Sequence, residues 1–195
     1  MELDLQIRQC DPLYIAGGPV LKELTDTTGF SSLLCALFSG SVLCVREELI
    51  PDSPKNLFSR GQTRPLFQGA ASKIMLPYLR PHQLRSLHAK HSAAIAESGL
   101  GEDWPSFRRA LSEMRSNGYS VTTGEFNAGI IGVSAPVFNR DGQILGSIGV
   151  AGVERESPRD VLDACIAAVV RAGKETSEGI ERVPVGADRP ARAIG

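Results

Sequence analysis

Residues 130–152 read IIGVSAPVFNRDGQILGSIGVAG. Two runs rich in β-branched residues flank Asn139-Arg140-Asp141-Gly142, a turn with the Asp-Gly signature of hairpins. Side chains on a strand point alternately to opposite faces. On one face lie Ile131, Val133, Ala135 and Val137, with Ile144, Gly146, Ile148 and Val150 opposite. This face is expected to be core. The other face shows Gly132 and Ser134, then Ser147, Gly149 and Ala151, all of them small.

A sheet face paved with small residues leaves space above it, and interiors are close-packed, so something must fill that space. A helix could approach closely, or the space could be a pocket for a small molecule. Pattern alone leaves both open. Two stretches could roof a pocket: the long irregular segment 48–68 and the Gly-containing TTGEFNAG at 122–129.

Working outward, a second hairpin is read from FSSLLCALF (30–38) and VLCVRE (42–47), joined by Ser39-Gly40-Ser41. Asp11-Pro12 reads as a helix start, Gly17-Gly18-Pro19 as a break, and Pro19 as a restart that Gly29 closes. Residues 69–79 suit a helix, Pro81 opens another, and 92–102 read as a linker. Asp103-Trp104-Pro105 caps a helix whose Phe107, Ala110, Leu111 and Met114 share one face, and Gly118 ends it. Residues 119–123 add a strand. Ser157-Pro158 opens a last helix, and the polar tail from Glu178 is expected to be disordered. Hairpins alternating with helices predict an α+β domain: one mixed, mainly antiparallel sheet flanked by helices. The expected division is an N-terminal helical linker at 1–18, the main domain at 19–177 and a tail at 178–195.

Composition narrows the function. The chain has 195 residues, 42% of them hydrophobic, which suits one folded domain. Its formal net charge of -1 offers nucleic acid no attraction. Arg80, Arg85, His88, Lys90 and His91 read as a solvated helix surface. Cys10, Cys35, Cys44 and Cys165 form no C-x-x-C pair and read as buried, reduced thiols. His82, His88 and His91 lie far from every cysteine, so no metal or other cofactor is expected. With no signal peptide or membrane-length apolar run, the expected location is cytoplasmic and no membrane partner is expected.

Three segments carry a family resemblance. GQTRPLFQGAASKIML (61–76) resembles the IclR-family pattern G-x-x-x-P-L-H-x-T-A-x-G-K-x-x-L, matching at Gly61, Pro65, Leu66, Ala70 and Lys73. Residues 117–152 resemble the family's other hallmark at Gly118, Tyr119, Glu125, Gly129, Ala135, Pro136, Val137, Phe138, Gly142 and Gly152. Residues 19–45 resemble the start of the same domain, and the likeness covers about 10–177. It implies a GAF-like (profilin-like) effector-sensing domain of a bacterial transcription regulator, not an enzyme. It also implies a homodimer or tetramer that reaches DNA only through an upstream winged helix-turn-helix. The chain begins about where that module ends, so the module is expected to be absent from it.

By this resemblance the pocket positions fall on Ala70, Thr122, Gly132, Gly149 and Ala151. With the alternation and the two roofs, the candidate ligand-binding set is Leu57, Phe67, Gly69, Ala70, Thr122, Thr123, Gly129, Ile130, Gly132, Ser134, Ser147, Gly149 and Ala151. Departures matter: Phe67 stands where the family usually has His, Gly69 for Thr and Ser72 for Gly. Gly132, Gly149 and Ala151 replace polar groups of some members. These departures predict a roomy, largely apolar pocket for an organic acid or an aromatic or acyl metabolite. A carboxylate would suit free N–H groups at the start of the 69–79 helix. The rival readings are a GAF-like enzyme using Cys35 and Cys44 in thiol redox chemistry, and a pure dimerisation module.

Overall fold

The computed structural model describes residues 11–38, 40–54 and 57–183. Its first helix, α1 (Pro12–Thr28), opens where Asp11 accepts a hydrogen bond from the Leu13 N–H and closes at Gly29 in the left-handed conformation. The expected break at Gly17-Gly18-Pro19 does not occur: the helix runs through Pro19. An interior proline costs about 3 kcal/mol. Buried Leu13, Leu21 and Leu24 each contribute about 2 kcal/mol and offset it. Gly17 serves packing rather than breakage, since a Cβ there would sit 2.6 Å from Leu34 Cδ2. The 18/19 boundary therefore falls inside a helix.

Strands β1 (Ser31–Phe38) and β2 (Ser41–Glu48) form the first hairpin. The segment expected to be wholly irregular contains a short edge strand, β3 (Thr63–Pro65), paired with β2. An edge tolerates Pro65, whose missing N–H faces no partner strand. The expected helix at 69–79 is instead α2 (Ala70–Lys73) followed by a 3-10 turn, Leu76–Tyr78. Pro77 has no N–H to give the Lys73 carbonyl, so the α-helical ladder stops. The expected linker at 92–102 is mostly helix: α3 (Pro81–Glu97) continues past a kink at His91, held by fully buried Ile95. His88 is half-buried against Trp104 and Phe107, so the basic cluster is not solvated throughout.

Helix α4 (Trp104–Asn117) has the expected Asp103 cap, 2.8 Å from the Ser106 N–H, and the expected Gly118 stop. Strands β4 (Ser120–Thr123), β5 (Ile130–Phe138) and β6 (Ile144–Val153) follow. Last comes α5 (Arg159–Arg182), preceded by Pro158 rather than capped by Ser157. It runs four residues beyond Glu178, anchored by buried Thr176 and Ile180. The remainder of the expected tail, and Cys10, lie outside the described residues.

The sheet order is β3-β2-β1-β6-β5-β4, and every pairing is antiparallel. This is the expected α+β architecture. The β1–β6 pairing joins the two hairpins, which makes one continuous surface of them. Helices α1 and α5 cover one face, packing on Leu34, Ala36, Val133, Ala135, Val137, Ile148 and Val150. One residue departs from simple alternation. A bulge pairs Phe138 with Ile144 and Val137 with Gly146, so Ile144 turns to the opposite cluster and Leu145 packs on this one. The other face carries Leu33, Cys35, Cys44 and Ala151 under Phe58, Leu66, Phe67, Ile74, Met75, Leu76 and helices α3 and α4.

Candidate functional site

The small residues do meet on one face. Gly132 pairs with Ala151, Ser134 with Gly149 and Pro136 with Ser147. Adjacent β1 contributes Ser31, Leu33 and Cys35, opposite Ala151, Gly149 and Ser147. The two fillers open to the sequence reading share the space. Helix α2 lies on the Ser147 end, where the Ser147 hydroxyl donates to the Ala71 carbonyl at 2.8 Å. Over Gly132, Ser134 and Ala151 a cavity of about 70 Å³ remains. Pockets for drug-sized ligands hold ~300–1,000 Å³, so as it stands this one accepts only a small group. Phe126, 38% exposed, forms part of its wall.

Of the expected residues, Leu57, Gly69, Ala70, Thr122, Ile130, Gly132, Ser134 and Ala151 line the cavity. The other five do not. Phe67 is buried beside His91, with ring centroids 5.4 Å apart. Thr123 is exposed at the end of β4, and Gly129 is exposed in a turn with φ 75°. Ser147 is spent on Ala71. Gly149 is covered: a Cβ there would fall 2.2 Å from both Ser134 Oγ and the Val133 carbonyl oxygen. Both expected roofs contribute, the first through Leu57, Phe58 and Arg64 and the second through Glu125, Phe126 and Asn127.

Glu125 ties the second roof to α2. Its carboxylate accepts from the Gly69 N–H at 2.8 Å and forms an ion pair with Lys73. The Lys73 ammonium, almost fully buried, also donates to the Ser98 carbonyl at 2.7 Å. The Ala70 N–H donates to Thr122 Oγ1 at 3.0 Å. Two of the N–H groups expected to be free for a ligand carboxylate, those of Gly69 and Ala70, are therefore occupied by the chain's own side chains.

The sequence reading missed Arg64. It stands on β3 opposite Val42, half-buried, with its guanidinium 4.3 Å from the Phe58 ring centre and 3.7 Å from that of Phe126. Desolvation pulls its pKa down. No single motif marks such a residue, because its partners lie 6 and 62 positions away.

Cys35 and Cys44 face each other across β1 and β2 and are fully buried. The hydrogen bond between them, then burial, pushes the Cys35 thiol well above its ordinary pKa. Such a thiol is protonated near neutral pH and a poor nucleophile. Among the described residues no cluster of potential metal ligands occurs, and no helix is long and apolar enough to cross a membrane.

The domain is thus an antiparallel sheet with a cavity on one face and two long helices on the other. Residues 9–178 match the family described as bacterial transcriptional regulator IclR, C-terminal. The glycerol operon regulatory protein of Streptomyces coelicolor is 28% identical over 150 residues, covering 76% of this chain and 58% of that protein. The HTH-type transcriptional regulator BhcR of Paracoccus denitrificans is 26% identical over 163 residues, covering 83% and 58%. The match thus spans less than two thirds of either relative. The IclR of Thermotoga maritima superposes with a TM-score of 0.79 at 16% identity, covering 92% of this chain and 72% of that one. The C-terminal domain of a Vibrio cholerae regulator gives 0.72 at 25% identity, covering 83% and 94%. The chain belongs to the IclR family and is its C-terminal, GAF-like effector-binding domain, a regulator domain and not an enzyme.

Proposed function

We propose that the cavity over Gly132, Ser134 and Ala151 is the effector site, and that its ligand is an organic acid with an aromatic or acyl body. The observation that carries this reading is the half-open space between the small-residue face and two loop-borne walls. Its lining is mostly apolar, with Ser134 and Thr122 among the polar residues. A body larger than the present cavity enters by outward movement of the Phe126 segment. Where this domain is joined to a winged helix-turn-helix, occupancy would be passed to that module, in a homodimer or tetramer.

A thermal-shift series with carboxylates of rising size tests this, because a ligand that binds the native state raises stability by mass action. The midpoint is expected to rise more with aromatic and medium-chain acids than with glyoxylate. Tight binding of glyoxylate with no larger competitor would sink the size assignment.

A further inference from the structure

The charges around the cavity do not balance. Two of its lining residues are ionised, Glu125 and Arg64. Glu125 is already neutralised by Lys73, which reaches it from α2. Arg64 is left over: among the described residues no carboxylate or carbonyl oxygen bonds its guanidinium, which lies against the Phe58 and Phe126 rings with the Cys35 and Cys44 thiols nearby. Ring faces offset part of the cost of desolvating a cation but accept none of its directed hydrogen bonds. A half-buried guanidinium with open N–H groups at the edge of a cavity is a receptor for a planar oxyanion.

At the alternative anchor, the start of α2, two N–H groups are already taken. The Gly69 and Ala70 N–H groups are held by Glu125 and Thr122. Arg64 approaches the same region from the opposite wall, with Nη1 4.0 Å from the β-position of Gly69.

Resting on the reading of this cavity as the effector site, we infer that Arg64 is the specificity-determining residue. It receives the effector's carboxylate through a paired hydrogen bond, while the rest of the ligand lies over Gly132 and Ala151. Phe126 then closes over the ion pair it now helps to cover. The ligand class is a monocarboxylate, its charge held by the Arg64 side chain and not by the Gly69 and Ala70 N–H groups.

The test compares acid–amide pairs (butyrate with butyramide, benzoate with benzamide, phenylacetate with phenylacetamide) by calorimetry at fixed ionic strength. The amide resonances of Gly132 and Ala151 report where each probe sits. The acids are expected to bind and shift both resonances, and the amides to bind far more weakly. Arg64→Met is expected to weaken the acids on the order of tenfold to a hundredfold, the loss of a charge-assisted pair of hydrogen bonds. Arg64→Lys should recover part of that by keeping the charge without the planar fork. If the acids bind Arg64→Met as tightly and still shift Gly132 and Ala151, Arg64 is overturned and the cavity stands. Equal binding of acids and amides overturns Arg64 in the same way. If no probe shifts Gly132 or Ala151, the inference and the effector-site reading for this ligand class fall together. Unliganded melting midpoints of both variants, close to that of the parent, exclude loss of folding as the cause.

Discussion

Gly132 and Gly149 lie on the same sheet face yet differ in what surrounds them. A Cβ at Gly132 would meet Ala70 Cβ at 3.6 Å and Thr122 Oγ1 at 3.7 Å, ordinary contacts at the cavity floor. At Gly149 it would meet backbone at 2.2 Å, and backbone cannot step aside. Gly149→Ala is therefore expected to destabilise the domain by about 2–3 kcal/mol, the scale of overpacking in a filled interior. Gly132→Ala should change stability by less than about 1 kcal/mol while narrowing the cavity. Urea titration of the two variants checks both, and equal effects would contradict the assignment of open and filled halves. Arg64 and Glu125 belong to this scale too. Each has a role set by which opposite charge it reaches, and only one of them reaches any.

At the scale of elements, α1 is where local preference and packing conflict. Pro19 is exposed, so its ring contributes little burial while its missing N–H leaves a gap in the helix ladder. Pro19→Ala is expected to raise stability by about 1–3 kcal/mol, read as an increase in melting midpoint. A drop would mean that the proline shapes the approach of α1 to the sheet. Helix α2 shows the reverse case. Four residues make a poor helix on their own. It is held from outside by Ser147, Thr122 and Glu125, each bonded to its backbone or to the Gly69 N–H before it.

For the whole molecule, the described fold has α1 and α5 on one side of one sheet and its cavity on the other. A ligand that shifts α2 or the Phe126 segment acts on strands that also contact α1 and α5, a physical route by which occupancy can alter the helical face. With a net charge of -1 the polypeptide attracts no phosphate backbone. No electrophoretic shift of duplex DNA is expected from residues 1–195 alone at physiological salt, with or without carboxylate. A salt-sensitive shift would show that this domain contacts DNA itself.

The sequence by itself determined the two hairpins, the Asp11 and Asp103 caps, the Gly29 and Gly118 stops, and the face shared by Gly132, Ser134, Ser147, Gly149 and Ala151. Those features are local: capping uses neighbouring residues, and alternation is strict along a strand. It also carried the family, through three spaced motifs. Tertiary structure decided the rest. Burial of its leucines kept α1 whole through Gly17-Gly18-Pro19, and buried Ile95 turned an expected linker into helix. One bulge moved Ile144 to the other face. Whether the small-residue face lay under a helix or a cavity depended on where α2 came to rest, and it covers half. Which charged group faces the cavity unpaired depended on the ion pair between Lys73 and Glu125, distant in sequence and joined only by folding, which leaves Arg64 over.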